Sequence, residues 1–196
     1  INARSIAPAF FLFNFSFLIS SAFGNPTGLN VSSGSASLQQ LGSQLNVSVS
    51  QVAVLNWQSF NIGRGESATF VQPSVTSIVW NRITDGNPTQ IFGQITANGR
   101  VVLANEQGFY FGADAVVKAA GFVATTARAL PADFANGGVW AIDLAPPAAR
   151  IVNYGTISVG RGGAAFLIGL DIENHGTIEA PGGTVGLYGG EEVVVS

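Results

Sequence analysis

No cysteine and no methionine occur in these 196 residues. Without cysteine, neither disulfides nor thiolate metal sites can hold the fold together. The same absence suits a chain that must cross an oxidising compartment unfolded, because no bridge can lock it early. Without methionine, Ile1 is not an encoded start, so we expect a processed chain or a sequence incomplete at its front. Charge is also scarce. Asp, Glu, Lys and Arg make up 10% of the chain, against roughly a quarter in ordinary soluble domains. Arg4, Arg64, Arg82, Arg100, Lys118, Arg128, Arg150 and Arg161 stand singly, and the formal net charge is -3. No basic patch exists to neutralise phosphates, so nucleic acid is not an expected partner. No apolar run reaches the roughly 20 residues of a membrane-spanning helix.

What the chain has is apolar surface and glycine: 47% hydrophobic residues and 25 Gly. One domain with a substantial core fits this length. So little charge implies a sheet-rich body, or one that buries much of its outside in an assembly.

The most apolar run is AFFLFNFSFLISSAF at 9–23. Residues 1–24 therefore read as an apolar leader ahead of a body at 25–196. Arg4, the apolar stretch and the small residues before Asn25 have the order of a signal peptide. Phe11, Phe13, Phe15, Phe17 and Ile19 also alternate with Leu12, Asn14, Ser16, Leu18 and Ser20. That period of two is a strand signature. A retained strand of this kind could pair with a sheet edge of its own body or of another copy. Both readings stay open.

From Asn25 onward, short apolar strands alternate with Gly- and Asn-bearing corners. Gln90–Thr96 reads as one strand, and Ala129–Asn136 as the one hint of a helical turn, with Phe134 packed inward. Repetition is the strongest signal. IVNYGTISV at 151–159 returns as IENHGTIEA at 172–180, and AAFLIG at 164–169 as TVGLYG at 184–189. NWQSFNIGRG at 56–65 also parallels NYGTISVGRG at 153–162. A period near 20 residues with several strands per period is too short for a propeller blade and fits one coil of a β-solenoid. Ile151, Ile157, Val159, Phe166 and Ile168 are expected to stack on Ile172, Ile178 and Leu187. Asn153 and Asn174 should share a corner, where Asn tolerates left-handed backbone and bonds between coils. A cap is needed at the N-terminal end, because an open coil presents unpaired backbone groups; residues 25–50 are its expected source. Val193, Val194 and Val195 read as a strand that continues the coil, docks, or serves as an assembly surface.

Six phrases then appear in order: SGSAS at 33–37, LNWQSFNIGRGE at 55–66, FVQPS at 70–74, NRITDGNP at 81–88, GQITANGRVVLANEQGFYFG at 93–112, and GFVATTAR with ADF at 121–134. Together they resemble the secretion domain of two-partner-secretion exoproteins of the filamentous-haemagglutinin type. The resemblance implies an all-β, right-handed parallel β-helix (a solenoid) with an N-terminal cap and small extra-helical hairpins. It implies secretion to the exterior or cell surface of a Gram-negative-type bacterium. It also implies an outer-membrane β-barrel transporter with periplasmic POTRA domains as partner, and an extracellular adhesive fibre as destination. The positions matching the family's recognition motifs are Asn81, Arg82 and Ile83, and Asn105, Glu106, Gln107, Gly108 and Phe109. The second motif departs from the family's usual Asn-Pro-Asn-Gly: Glu106 replaces a proline and so frees its φ angle.

No catalytic reading gathers support. Asp171 and Glu173 would share a face beside His175, the only histidine, yet His175 fills the corner slot that Tyr154 fills one coil earlier. No nucleophile elbow, metal cluster or phosphate loop appears, so neither enzyme activity nor a cofactor is expected. Two further roles remain: a self-polymerising filament subunit joined by the Phe-rich strand and coil ends, and binding of a host or surface glycan. The latter would use exposed rings among Trp57, Trp80, Trp140, Tyr110, Tyr154 and Tyr188.

Overall fold

The computed structural model describes residues 24–127, 129–131, 134, 140–143, 149–190 and 192–195. Two short strands open the described chain, β1 (Asn30–Ser33) and β2 (Ala36–Leu41). The body behind them is a parallel β-solenoid of about six turns, wound as a three-faced prism.

The first face stacks β3 (Gln44–Val49), β5 (Ser67–Val71), β8 (Gln94–Ala97), β11 (Val116–Ala119), β15 (Thr156–Val159) and β18 (Thr177–Glu179). The second stacks β4 (Val52–Trp57), β6 (Ile78–Ile83), β9 (Arg100–Asn105), β12 (Gly121–Thr125), β16 (Ala164–Gly169) and β19 (Thr184–Gly189). The third stacks β7 (Thr89–Ile91), β10 (Phe109–Phe111), β14 (Arg150–Asn153) and β17 (Asp171–Asn174). The cap reverses direction: β1 pairs antiparallel with β4, and β2 with β3. It is shorter than expected, because β3 already belongs to the first parallel rung. Among the described residues, β13 (Trp140–Asp143) and β20 (Glu192–Val195) form a two-stranded antiparallel ribbon outside the three faces.

Strand alternation sends every second side chain inward. Equivalent positions then form columns, such as Ala53, Val79, Val101, Phe122 and Ala165 on the second face. Ile151 pairs with Ile172 and Ile157 with Ile178, as the repeat predicts. Fully burying one such aliphatic side chain stabilises by about 1.5–3 kcal/mol.

The second face is unusual in burying both of its sides. Ile78, Trp80, Val102, Val123 and Ile168 form a separate outer cluster beneath Phe134, whose ring lies 6.0 Å from Trp80 at 73°. This corrects the expected placement of Phe166 and Ile168. Ala165 and Leu167 face the interior; Phe166 and Ile168 belong to the outer cluster. Where both sides are apolar, composition cannot reveal which parity points inward.

Other expectations also shift. Gln90–Thr96 is two strands, β7 and β8, divided by the corner at Phe92 and Gly93. Half of Ala129–Asn136 lies outside the described residues; among the rest, the Phe134 amide donates to the Pro131 carbonyl and closes a turn. Asn153 and Asn174 do pair across rungs, with Asn153 Nδ2 donating to Asn174 Oδ1 at 2.7 Å. Neither adopts left-handed backbone, since only glycines do so among the described residues. Instead, Asn153 Oδ1 accepts the Gly155 amide at 3.1 Å and closes the corner from its side chain. The two Gly-Arg-Gly phrases are not equivalent: Gly63–Gly65 leads into the first face, whereas Gly160–Gly162 leads from the first face into the second.

Candidate functional site

Trp57, Ile83 and Asn105 end β4, β6 and β9, so they stack at one corner of three successive rungs. This brings together the two phrases that match the family's motifs, Asn81–Ile83 and Asn105–Phe109. They are neighbours because one coil separates them.

Most of these residues build the corner from inside. Asn81 is 0% exposed and sits in an interior column between Leu55 and Leu103. A polar group so placed must be bonded. The Trp57 indole N–H donates to Asn81 Oδ1 at 2.9 Å, and Asn81 Nδ2 donates to the Val102 carbonyl at 3.1 Å. Ile83 is buried beside them. Asn105, also buried, serves three groups. Its Oδ1 accepts the Gln107 amide at 2.9 Å, while its Nδ2 donates to Thr89 Oγ1 at 2.9 Å and to the Asn87 carbonyl at 3.1 Å. Its own carbonyl accepts the Gly108 amide at 3.0 Å, closing the turn. Gly108 has φ +100°, and a Cβ there would lie 2.2 Å from the Arg150 carbonyl oxygen. Two independent constraints thus require glycine. Phe109 points inward and stacks on Phe111 at 6.0 Å.

What remains outside is small. Arg82 is exposed, Glu106 and Gln107 are half-buried, and Arg82 Nη2 lies 3.7 Å from Glu106 Oε1. The turn survives the loss of the family's proline because the Asn105 side chain and Gly108 supply its geometry. Sequence reasoning missed Trp57 and Thr89 as partners of this corner. The available signal was parity: Val79 and Ile83 point inward, so Asn81 between them must as well.

The remaining candidates separate. Phe11, Phe13, Phe15, Phe17 and Ile19 lie outside the described residues. Val193, Val194 and Val195 pair through their backbone with Ala141 and its neighbours in β13, and so dock within the same chain. Asp171 and Glu173 both bind Arg150, at 2.8 and 2.9 Å, and His175 Nε2 lies 3.3 Å from Glu173. Trp57 and Trp80 are buried, and Trp140 falls where only backbone is described. Tyr110, Tyr154 and Tyr188 are exposed. Tyr110 and Tyr154 belong to a ladder with Phe92 and His175, at centroid spacings of 5.7, 5.8 and 4.8 Å. The Tyr154 and His175 rings lie 14° from parallel, so each covers one face of the other.

Comparison with known proteins supplies the context for this corner. The model of the TPS secretion domain matches residues 22–196. The crystal structure of the HMW1 secretion domain from Haemophilus influenzae superimposes with a TM-score of 0.82 at 32% identity, over 88% of this chain and 46% of that one. A heme/hemopexin-binding protein of Haemophilus influenzae strain Rd is 37% identical over 102 residues, 52% of this chain and 11% of that protein. A second Haemophilus influenzae protein of that name is 42% identical over 77 residues, 39% of this chain and 8% of that protein. The chain thus spans about a tenth of the length of these curated relatives.

Proposed function

The chain belongs to the TPS secretion domain family, and from that membership we propose that the corner at Arg82, Glu106 and Gln107 is what the outer-membrane transporter reads. Domains of this family belong to exoproteins that Gram-negative bacteria export through a dedicated outer-membrane partner. The observation carrying the assignment is the adjacency of the two phrases: their buried members frame one turn, and three polar side chains are left outside it. In this reading Asn81, Ile83, Asn105, Gly108 and Phe109 shape the corner, and the transporter's POTRA domains meet only its outer groups.

Secretion in cells carrying the cognate transporter tests this. Arg82→Ala combined with Glu106→Ala and Gln107→Ala should lower the secreted amount several-fold. The purified domain should keep its stability within about 1 kcal/mol, the worth of an exposed ion pair. Removing Arg64 and Asp114, an exposed pair at another corner, should leave secretion unchanged. Undiminished secretion of the triple variant would contradict the assignment.

For the parent exoprotein, we propose a cell-surface or extracellular adhesive role in which this domain begins a longer stack. The relatives' length supports that reading: the matched stretches are 11% and 8% of the two heme/hemopexin-binding proteins. A self-polymerising filament receives less support, because β20 already has its partner in β13. The haem and hemopexin binding named for the relatives is not carried over, since the match covers 11% of one such protein and 8% of the other. We read the domain itself as non-enzymatic, with its carboxylates at 171 and 173 serving an inter-rung ion pair.

A further inference from the structure

A groove of about 390 Å³ lies where the third face turns into the first, a different corner of the coil from the one above. Three of its lining residues, Gln44, Ser67 and Gln94, occupy one register row on adjacent strands β3, β5 and β8. They follow one another at the strand spacing of about 4.8 Å. The inward positions beside them, Leu45, Ala68 and Ile95, are buried, so the row faces outward. The side chains of Gln44, Ser67 and Gln94 make no hydrogen bond among the described residues. Phe92 lines the same groove, and Arg64 and Asp114, paired at 3.0 Å, stand at its border. Glu66 Oε2 is already taken by the Gly63 amide at 2.6 Å.

We infer that this groove binds a neutral saccharide. Two carboxamides and a hydroxyl offer both donors and acceptors. Sugar hydroxyls need both, in a row that can follow a pyranose chain from rung to rung. The Phe92 ring supplies an apolar wall for the C–H face of a pyranose. One cation against two carboxylates disfavours an anionic ligand, and the volume lies within the range of small-molecule sites. The outer rings of the ladder, Tyr154 and His175, are less suited to that role, because they lie 14° from parallel and cover one another.

The test needs no transporter, so it can fail independently of the export assignment. Saturation-transfer NMR on the purified domain would use lactose, maltose, cellobiose and N,N′-diacetylchitobiose, with sialyllactose as the charged comparison. At least one neutral disaccharide should bind. Gln44→Ala with Gln94→Ala should weaken it about tenfold, the worth of one to two hydrogen bonds. That variant should keep the fold by circular dichroism, since both side chains are exposed and unbonded. Tyr188→Ala, whose ring packs on Phe166 away from the groove, should leave binding unchanged. The inference is overturned if no disaccharide in the panel binds, if binding survives the double variant, or if sialyllactose is preferred.

Discussion

Replacing Asn81 by leucine would place an aliphatic side chain between Leu55 and Leu103 and remove the polar member of that interior column. On hydrophobic grounds alone the change should stabilise the domain. The hydrogen bonds argue the reverse. Asn81→Leu leaves the Trp57 indole N–H, 1% exposed as a residue, without its acceptor, and deprives the Val102 carbonyl of a donor. Each orphaned buried group costs about 1–3 kcal/mol. The carbonyl stands at the lower end, because it has a second lone pair for the sheet ladder. Against a total near 2–4 kcal/mol stands the burial of a leucine in place of an amide, worth about 1–2 kcal/mol. The expected net effect is a loss of about 1–2 kcal/mol, read as a lowered midpoint of guanidinium unfolding followed by far-ultraviolet circular dichroism. The double variant Trp57→Phe with Asn81→Leu removes both partners and should recover most of that loss. A single variant as stable as the parent, or a double variant worse than the sum of the singles, would refute the reasoning.

Gly108→Ala should destabilise by more than about 3 kcal/mol or prevent folding, since it combines a left-handed backbone with a 2.2 Å approach to Arg150; yield and thermal midpoint report it. Gly162→Asn should cost less than about 1 kcal/mol, because its φ of +74° suits asparagine and the space around it is open. Phe134→Ala should cost about 3 kcal/mol and expose the outer cluster to a hydrophobic dye, while the solenoid's β signal persists because the interior core is separate. Asp171→Asn removes one of Arg150's two exposed partners; the expected change is below about 1 kcal/mol and vanishes at high salt.

The repeat made much of this fold legible. Ile151 with Ile172, and Asn153 with Asn174, take the register that their spacing requires, because stacked coils force equal residues into one column. Phase was legible only where a polar and an apolar side could be told apart. On β16 both sides are apolar, since the outer cluster covers the second face, and the parity came out reversed. The matching Gly-Arg-Gly phrases misled for a related reason: any tight corner selects such residues, whichever two faces it joins. At the candidate site, the phrases themselves were visible, but the split between framework and exposed groups was not. That split depends on Trp57 and Thr89, which lie 24 and 16 residues from the asparagines they bond and carry no local sign of their role.

The most direct measurement places a photo-crosslinking residue at position 82 or 107, and in parallel at 64 or 114, and captures the domain during export with its transporter. The account predicts crosslinks to the transporter's periplasmic domains from 82 and 107 and none from 64 and 114. Equal capture from all four positions, or capture from 64 and 114 alone, would contradict it.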